Sequence, residues 1–188
     1  MLAKENHSKF AILGLLTTTC NSGYEMKQMI DTSLNHFWKI SYGQIYPTLK
    51  KLVDEGLAFS EEIEQEHKPA KKVYVMTDLG KAALQDWLEK PIEQLPVEKN
   101  ELLLKLFFSN HQQDKQTTIL HINDYVQKLT ARLQTYQMIE ESIRTHSLER
   151  KDAMYWLITL DYGIRTTQGA IDWGYASIKK VEEEFHNG

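Results

Sequence analysis

Hydrophobic positions recur at helical spacing along most of the chain, interrupted by one stretch of strand-forming residues. Over residues 7–18, Phe10, Ile12, Leu13, Leu15 and Leu16 predict an apolar helix buried on most sides. Asn21-Ser22-Gly23 then reads as a turn. Ser22 followed by Glu25 matches a capping box, in which the serine bonds the third helical amide and the glutamate bonds back. A second helix runs to about Ser33 and carries Tyr24, Met26, Met29 and Ile30 as its apolar residues. Phe37 and Trp38, in the connection over 34–40, are expected to plug the core rather than to stack on bases. The segment over residues 41–57 has two unlike faces. Ile45, Leu49, Leu52 and Val53 fall at i, i+4, i+7 and i+8, the spacing of a buried stripe. Tyr42, Tyr46 and Lys50 form a second stripe, with Gln44, Thr48 and Lys51 beside it and no carboxylate before Asp54. Gly56 stands where a helix C′ residue is expected.

Two features complicate that segment. Ser41 and Gln44 make a second capping-box match, so Gln44 either caps its own helix or donates to a base edge. Pro47 lacks the amide hydrogen a helix interior needs. The helix therefore either starts late, near Tyr46, or bends at 43–47, and both outcomes thrust Tyr42 to Tyr46 outward. Beyond Gly56, residues 57–63 and 73–76 read as strands. The stretch over 66–72, with Lys68, Lys71 and Lys72 around Pro69, reads as a turn: an exposed hairpin tip, or a wing that touches phosphate. Thr77-Asp78 offers a cap for a fourth helix over 78–89.

Three helices followed by a two-stranded hairpin is the order of a winged helix-turn-helix. In that architecture the third helix enters the major groove and reads bases near its N-terminus. Tyrosine, glutamine and threonine can address phosphates or base edges. Lys50, Lys51, Lys68, Lys71 and Lys72 would neutralise phosphates and make affinity fall with salt.

The ordered set Ser22-Gly23-Tyr24-Glu25-Met26, Phe37-Trp38, Gly43-Gln44-Ile45-Tyr46-Pro47-Thr48-Leu49, Glu55-Gly56-Leu57 and Lys72-Val73-Tyr74-Val75-Met76-Thr77-Asp78-Leu79-Gly80 resembles the PadR transcriptional regulators over about residues 7–88. The resemblance implies a bacterial winged-helix regulator, usually a repressor, acting as a homodimer on a palindromic operator of double-stranded DNA. It implies DNA contacts from the recognition helix, at Ser41, Tyr42, Gln44, Tyr46 and Thr48, and from the wing, at Lys68, Lys71 and Lys72. The wing here reads His67-Lys68-Pro69-Ala70, whereas many members carry a more arginine-rich, glycine-containing turn.

Pro91 and Pro96 bracket a linker over 90–97, which separates a DNA-binding domain (1–89) from a helical domain (98–188). Residues 98–109 form a short helix that is apolar on most of its circumference. A long helix follows over 115–145, with Ile119, Ile122, Val126, Leu129, Leu133, Tyr136, Ile139 and Ile143 at sustained three- and four-residue steps. A last helix covers about 148–185. The short helix cannot cover this much apolar surface, so the expected partner is a second copy, packed isologously. The resemblance to the larger PadR subgroup implies the same dimer. Two copies would meet successive major grooves roughly 34 Å apart. Gly163, Gly169 and Gly174 interrupt the last helix, which points to close helix approach or a cavity. Arg165 nearby is a candidate to hold an anionic effector; the other reading is a tight dimer seam with surface charges. The expected fold is thus mainly α with a small β hairpin: an N-terminal winged helix-turn-helix plus a C-terminal long-helix dimerisation domain.

Charge and composition narrow the function. The chain of 188 residues has a net charge of −4, and residues 1–88 carry ten lysines against eleven carboxylates. DNA binding must therefore rest on a local patch. No apolar run suits a membrane span, and the N-terminus lacks a signal-peptide layout. The single Cys20 fits a reducing cytoplasm. The seven histidines are scattered, with no metal-ligand spacing. No phosphate loop or nucleophile elbow appears, so neither a cofactor nor an enzyme is expected. The leading reading is a dimeric DNA-binding repressor tuned by a small molecule; a small aromatic or phenolic effector is a candidate because some relatives sense phenolic acids. The alternative is a winged-helix module for protein–protein interaction. Lysines converging beside Tyr42 and Tyr46 favour DNA, and dispersed lysines favour protein.

Overall fold

The computed structural model describes residues 7–34, 37–65, 68–95, 97–112, 114 and 116–186. The chain divides into two compact units, Met1–Leu95 and Pro96–Gly188.

The first unit opens with α1 (His7–Leu15). It stops sooner than its apolar pattern suggests because Thr17 and Thr18 hydroxyls donate to the Gly14 and Leu15 carbonyls, each at 2.7 Å. Those carbonyls are thus satisfied without another helical turn. Helix α2 (Gly23–Met29) starts at Ser22 with both halves of its capping box made. It passes into a π turn over Ile30–Leu34. Helix α3 (Tyr42–Asp54) has Ser41 at its N-cap, whose amide donates to the Gln44 side chain, and runs through Pro47 without a break. The late start is therefore not adopted. Pro47 removes one amide donor early in the helix, and the surrounding turns hold. Gly56 follows with φ 71°, the left-handed conformation of a C′ residue, which glycine adopts without a Cβ penalty.

Strands β1 (Ala58–Gln65) and β2 (Lys68–Met76) form an antiparallel hairpin. It is longer than the sequence suggested: Lys71 and Lys72 lie within β2, paired with Ile63 and Glu62, rather than in a turn. Glu66 and His67 lie outside the described residues. The root of the hairpin is pinned. Thr77 N donates to Leu57 O at 3.0 Å, and Thr77 Oγ1 donates to Gly56 O at 2.7 Å. The same Thr77 hydroxyl accepts from Gly80 N and caps α4 (Asp78–Glu89). Gly80 is required there, because a Cβ would stand 2.1 Å from Leu57 O.

The core of this unit joins Ile12 and Leu13 of α1, Met26 of α2, Ile45, Leu49 and Leu52 of α3, and Ala58 and Tyr74 of the hairpin. Ile45, Leu49 and Leu52 have no exposed surface, and each such side chain contributes about 1.5–3 kcal/mol. The Phe10 ring stacks on Trp87 at 4.9 Å, fastening α4 to α1. Trp38 packs against this core as expected, whereas Phe37 stays exposed.

The second unit holds α5 (Glu101–Phe107), α6 (Gln116–His146) and α7 (Ala153–His186). Asn100 caps α5, its side chain accepting from Leu103 N. Helices α6 and α7 lie antiparallel, since Val126 meets Gly174 and Tyr136 meets Gly163. A Cβ on Gly174 would stand 2.3 Å from Val126 Cγ2, and one on Gly163 would stand 3.1 Å from the Tyr136 ring. These glycines therefore serve a close contact within one chain. Beyond its own stretch of helix, no atom of the described residues lies within 4 Å of where a Cβ on Gly169 would be. No helix among the described residues is long and apolar enough to cross a membrane.

Candidate nucleic-acid interface

Helix α3 turns its apolar stripe into the core, so its first two turns expose Ser41, Tyr42, Gly43, Gln44, Tyr46 and Pro47 together. Tyr42 and Tyr46 are 47% and 49% exposed, about half-covered large rings. Lys50 and Lys51 continue the exposed face toward the C-terminus. Thr48 does not belong to it. It is 8% exposed, three residues after Ile45 and four before Leu52, so it falls in the buried stripe. Its expected place on the exposed face beside Tyr42 and Tyr46 is corrected.

Gln44 has one end committed. Its Oε1 accepts from Ser41 N and from the Ser41 hydroxyl, both at 3.0 Å. Because an amide N–H must meet an oxygen, this bond also fixes which way the side-chain amide points. The Nε2 group meets no protein acceptor among the described residues and remains a donor toward solvent. The two roles left open by the sequence are thus compatible in part. Gln44 can cap with its oxygen and donate with its nitrogen, but it cannot make a two-point adenine contact while capping.

The tyrosines are held from below by α2. Gly23 faces Tyr46 so closely that a Cβ there would lie 2.7 Å from Tyr46 Cε1 and 2.8 Å from Cζ. One turn on, Lys27 Nζ sits over the Tyr42 ring, 5.6 Å from its centroid, and forms an ion pair with Asp31. Neither contact was legible from local pattern. The available signal was that 23/27 and 42/46 are both i, i+4 pairs on adjacent helices. Tyr46 also lies beside Tyr74, whose phenol pKa is raised by burial first and by Tyr46 second.

The hairpin approaches the same place. Ser22, Gly23, Tyr24, Glu25, Tyr46, Lys71 and Lys72 line an open cleft of about 340 Å³ between α2, α3 and β2. Tyr24, 65% exposed, forms part of its rim. Glu25 occupies its wall. One carboxylate oxygen accepts from Asn21 N and Ser22 N at 3.1 and 3.2 Å; the other accepts from Lys71 Nζ at 2.7 Å. The Lys71 ammonium holds the Glu25 carboxyl below its usual pKa, opposed by burial and helped by the Asn21 amide and Ser22. Tyr74 N donates to Asn21 O at 2.7 Å, tying β2 to the start of α2.

The lysines divide by their partners. Lys72 is exposed, with its ammonium 5.8 Å from the centroid of the Tyr74 ring. Lys50 has no ion pair among the described residues. Lys71 is engaged by Glu25, and Lys51 lies 3.7 Å from Glu55, which also accepts from Lys9 at 2.5 Å. The Lys68 side chain lies outside the described residues. Lys71 and Lys72 therefore gather beside Tyr46, while Lys51 points to the far end of α3.

Arg165, in the second unit, is 77% exposed and bonded to Asp161 Oδ2 at 2.7 Å, which raises its pKa. That is an exposed i, i+4 pair rather than an enclosed anion seat. No group of histidine, cysteine and acidic residues among the described residues could hold a metal ion.

Comparison with known proteins matches both units. The profile of the transcriptional regulator PadR-like family covers residues 12–86, and that of the virulence activator alpha C-terminal region covers residues 98–182. The negative transcriptional regulator PadR of Bacillus subtilis is 31% identical over 182 residues, which is 94% of this chain and 98% of that protein. A probable transcriptional regulator of Mycobacterium tuberculosis is 28% identical over 87% of this chain and 91% of its own length. The crystal structure of Bacillus subtilis PadR in complex with operator DNA superposes with a TM-score of 0.83 at 31% identity, covering 94% of this chain and 99% of that one. The same regulator in complex with p-coumaric acid gives 0.75 at 29% identity, covering 96% and 99%. With a relative this similar along nearly its whole length and a winged-helix order that continues into two long helices, the chain belongs to the PadR-like family of transcriptional regulators.

Proposed function

We propose that this chain is a repressor that binds a palindromic operator as a homodimer and is released by a small-molecule effector. The observation that carries the reading is the joint exposure of Tyr42, Gln44 and Tyr46 on the first turns of α3, without a carboxylate among them. Residues 1–89 act as the DNA-binding domain. The first turns of α3 lie in the major groove, where Gln44 Nε2 donates to a base acceptor and the tyrosines meet bases or phosphate. Lys50 and Lys72 neutralise phosphates, and the wing, which carries Lys68 and Lys71 in its second strand, runs along the same backbone. The relative solved on operator DNA supports this use of the fold.

Residues 98–188 pair two copies. Tyr155, Ile158 and Tyr162 on α7, with Leu103, Leu104 and Phe107 on α5, leave apolar surface exposed in a single chain, which suits a second copy. The effector reading rests on the relative crystallised with p-coumaric acid; a small aromatic or phenolic acid is the class to try first. Action on bacterial DNA goes with a cytoplasmic protein.

Gel-shift titration against DNA upstream of the chain's own gene, across a salt series, tests the reading. Affinity should fall with salt, and each phosphate-neutralising lysine should account for a slope of roughly −0.9 in log K against log salt. Salt-independent or undetectable binding would overturn it. The ion pairs at Lys51 and Lys71 favour a second reading, a module that docks on protein, and that reading would gain if the full-length chain ignored DNA.

A further inference from the structure

Gly23 is buried on α2 and is not itself on the exposed reading face. Its importance comes from what it lacks. The Tyr46 ring lies across the backbone at Gly23, in the space a side chain would fill: a Cβ would meet Tyr46 Cε1 at 2.7 Å, Cζ at 2.8 Å and Oη at 3.1 Å. Real Cβ atoms do not approach this closely, so any larger residue must displace something. The displaced group is the far end of an exposed side chain rather than backbone, so the domain can yield locally. Tyr46 would swing away from α2 and from Tyr74, its neighbour on the hairpin. Its backbone would stay fixed, because Ile45 and Leu49 on either side are fully buried.

We propose that Gly23 is a specificity-determining positioning residue: its missing side chain sets the direction in which Tyr46 leaves α3, and thereby which operator positions the tyrosine meets. The proposal rests on α3 being the recognition helix and adds a residue outside that helix to the reading of DNA. A glycine at the second residue of a capped turn has other ordinary uses. Here φ at Gly23 is not in the left-handed region, unlike that of Gly56. Backbone conformation therefore does not demand a glycine, and the contact with Tyr46 does.

The test is a double-mutant cycle with Gly23→Ala, Tyr46→Ala and the two together, measured in the full-length protein. The readout is the ratio of affinity for the operator to affinity for unrelated DNA of equal length. Losing one well-made base contact lowers that ratio by about tenfold. Gly23→Ala should lose most of what Tyr46→Ala loses, and the double variant should match Tyr46→Ala alone. Losses that multiply would show that Gly23 acts independently of Tyr46, and an unchanged ratio in Gly23→Ala would show that it does not act on specificity; either overturns the proposal. If Gly23→Ala fails to fold, Tyr46→Ala should rescue it, and a double variant that still fails to fold also refutes the proposed clash. Full operator preference in Tyr46→Ala would instead remove the base-reading role of Tyr46, a different failure.

Discussion

Glu25 and Lys71 meet at 2.7 Å although they stand 46 positions apart in sequence. The pair joins the start of α2 to the strand of the wing. The same carboxylate receives the Asn21 and Ser22 amides, so one side chain caps a helix and anchors a hairpin.

Replacing that carboxylate gives a pH-dependent effect. The folded-state pKa of Glu25 is below its ordinary value of 4.5, because of Lys71 first. Its contribution is therefore complete above the unfolded-state pKa and disappears as pH falls through the folded value. Glu25→Gln should cost about 1 kcal/mol at pH 7, a modest figure because roughly a third of each side chain remains in water. The difference between wild type and variant should shrink below about pH 4.5. Chemical denaturation at several pH values checks this, and a constant difference would rule out the ionic contribution.

Gln44→Glu separates folding from reading. Glutamate is a good partner in a capping box and suits a helix N-terminus, so thermal stability should be kept or slightly raised. The Nε2 donor disappears, however, and a negative charge replaces it on the face offered to DNA. Operator affinity should fall by at least about tenfold, by the loss of one base contact alone, while the dimer persists. Calorimetry beside gel shift distinguishes the two effects.

Lys27→Met keeps the aliphatic stem and removes the ammonium over Tyr42. A cation–π contact at a partly exposed site is worth about 0.5–1 kcal/mol. Removing the charge also releases Asp31. The variant should be slightly destabilised and should bind operator less well, although Lys27 is not on the exposed face of α3. Unchanged binding would mean that Tyr42 does not need this support.

Glycines of the second unit predict a contrast with Gly80. Gly174→Ala pushes against a side chain, the buried Val126, rather than against backbone. Overpacking of this sort costs about 1–3 kcal/mol, partly offset by about 1 kcal/mol from better helix propensity. Gly80→Ala pushes against the Leu57 carbonyl, which is backbone and already accepts from Thr77 N. It should be the more damaging change in thermal denaturation of the full-length chain. The reverse order would mean that the α3–hairpin junction is softer than its bonds imply.

Much of this molecule was legible where chemistry is local. Thr77 and Asp78 announced α4, Ser22 with Glu25 announced α2, and Gly56 marked the end of α3. The misses were cases where partners are distant. Pro69 and three lysines looked like a turn, yet β2 spans them because pairing with β1 opposes Glu62 to Lys72 and continues the ladder past Val73. Thr48 fits either stripe of α3 by period alone, and only packing between helices sends it inward. The supports of Tyr42 and Tyr46 cross from one helix to another, so no window along the chain contains them. Lys71 looked free for phosphate because its carboxylate partner sits far back in the sequence.

The fastening of Thr77 to Gly56 and Leu57 gives the hairpin a fixed root. Mechanically it is a beam mounted on the end of α3 and braced against α2, where Glu25 holds Lys71 and Asn21 holds Tyr74. Changes in the length of its far end alter how far the arm extends, while the mount and the brace keep the helix in its posture. Reach of the hairpin and the angle of α3 can therefore be tuned by separate substitutions.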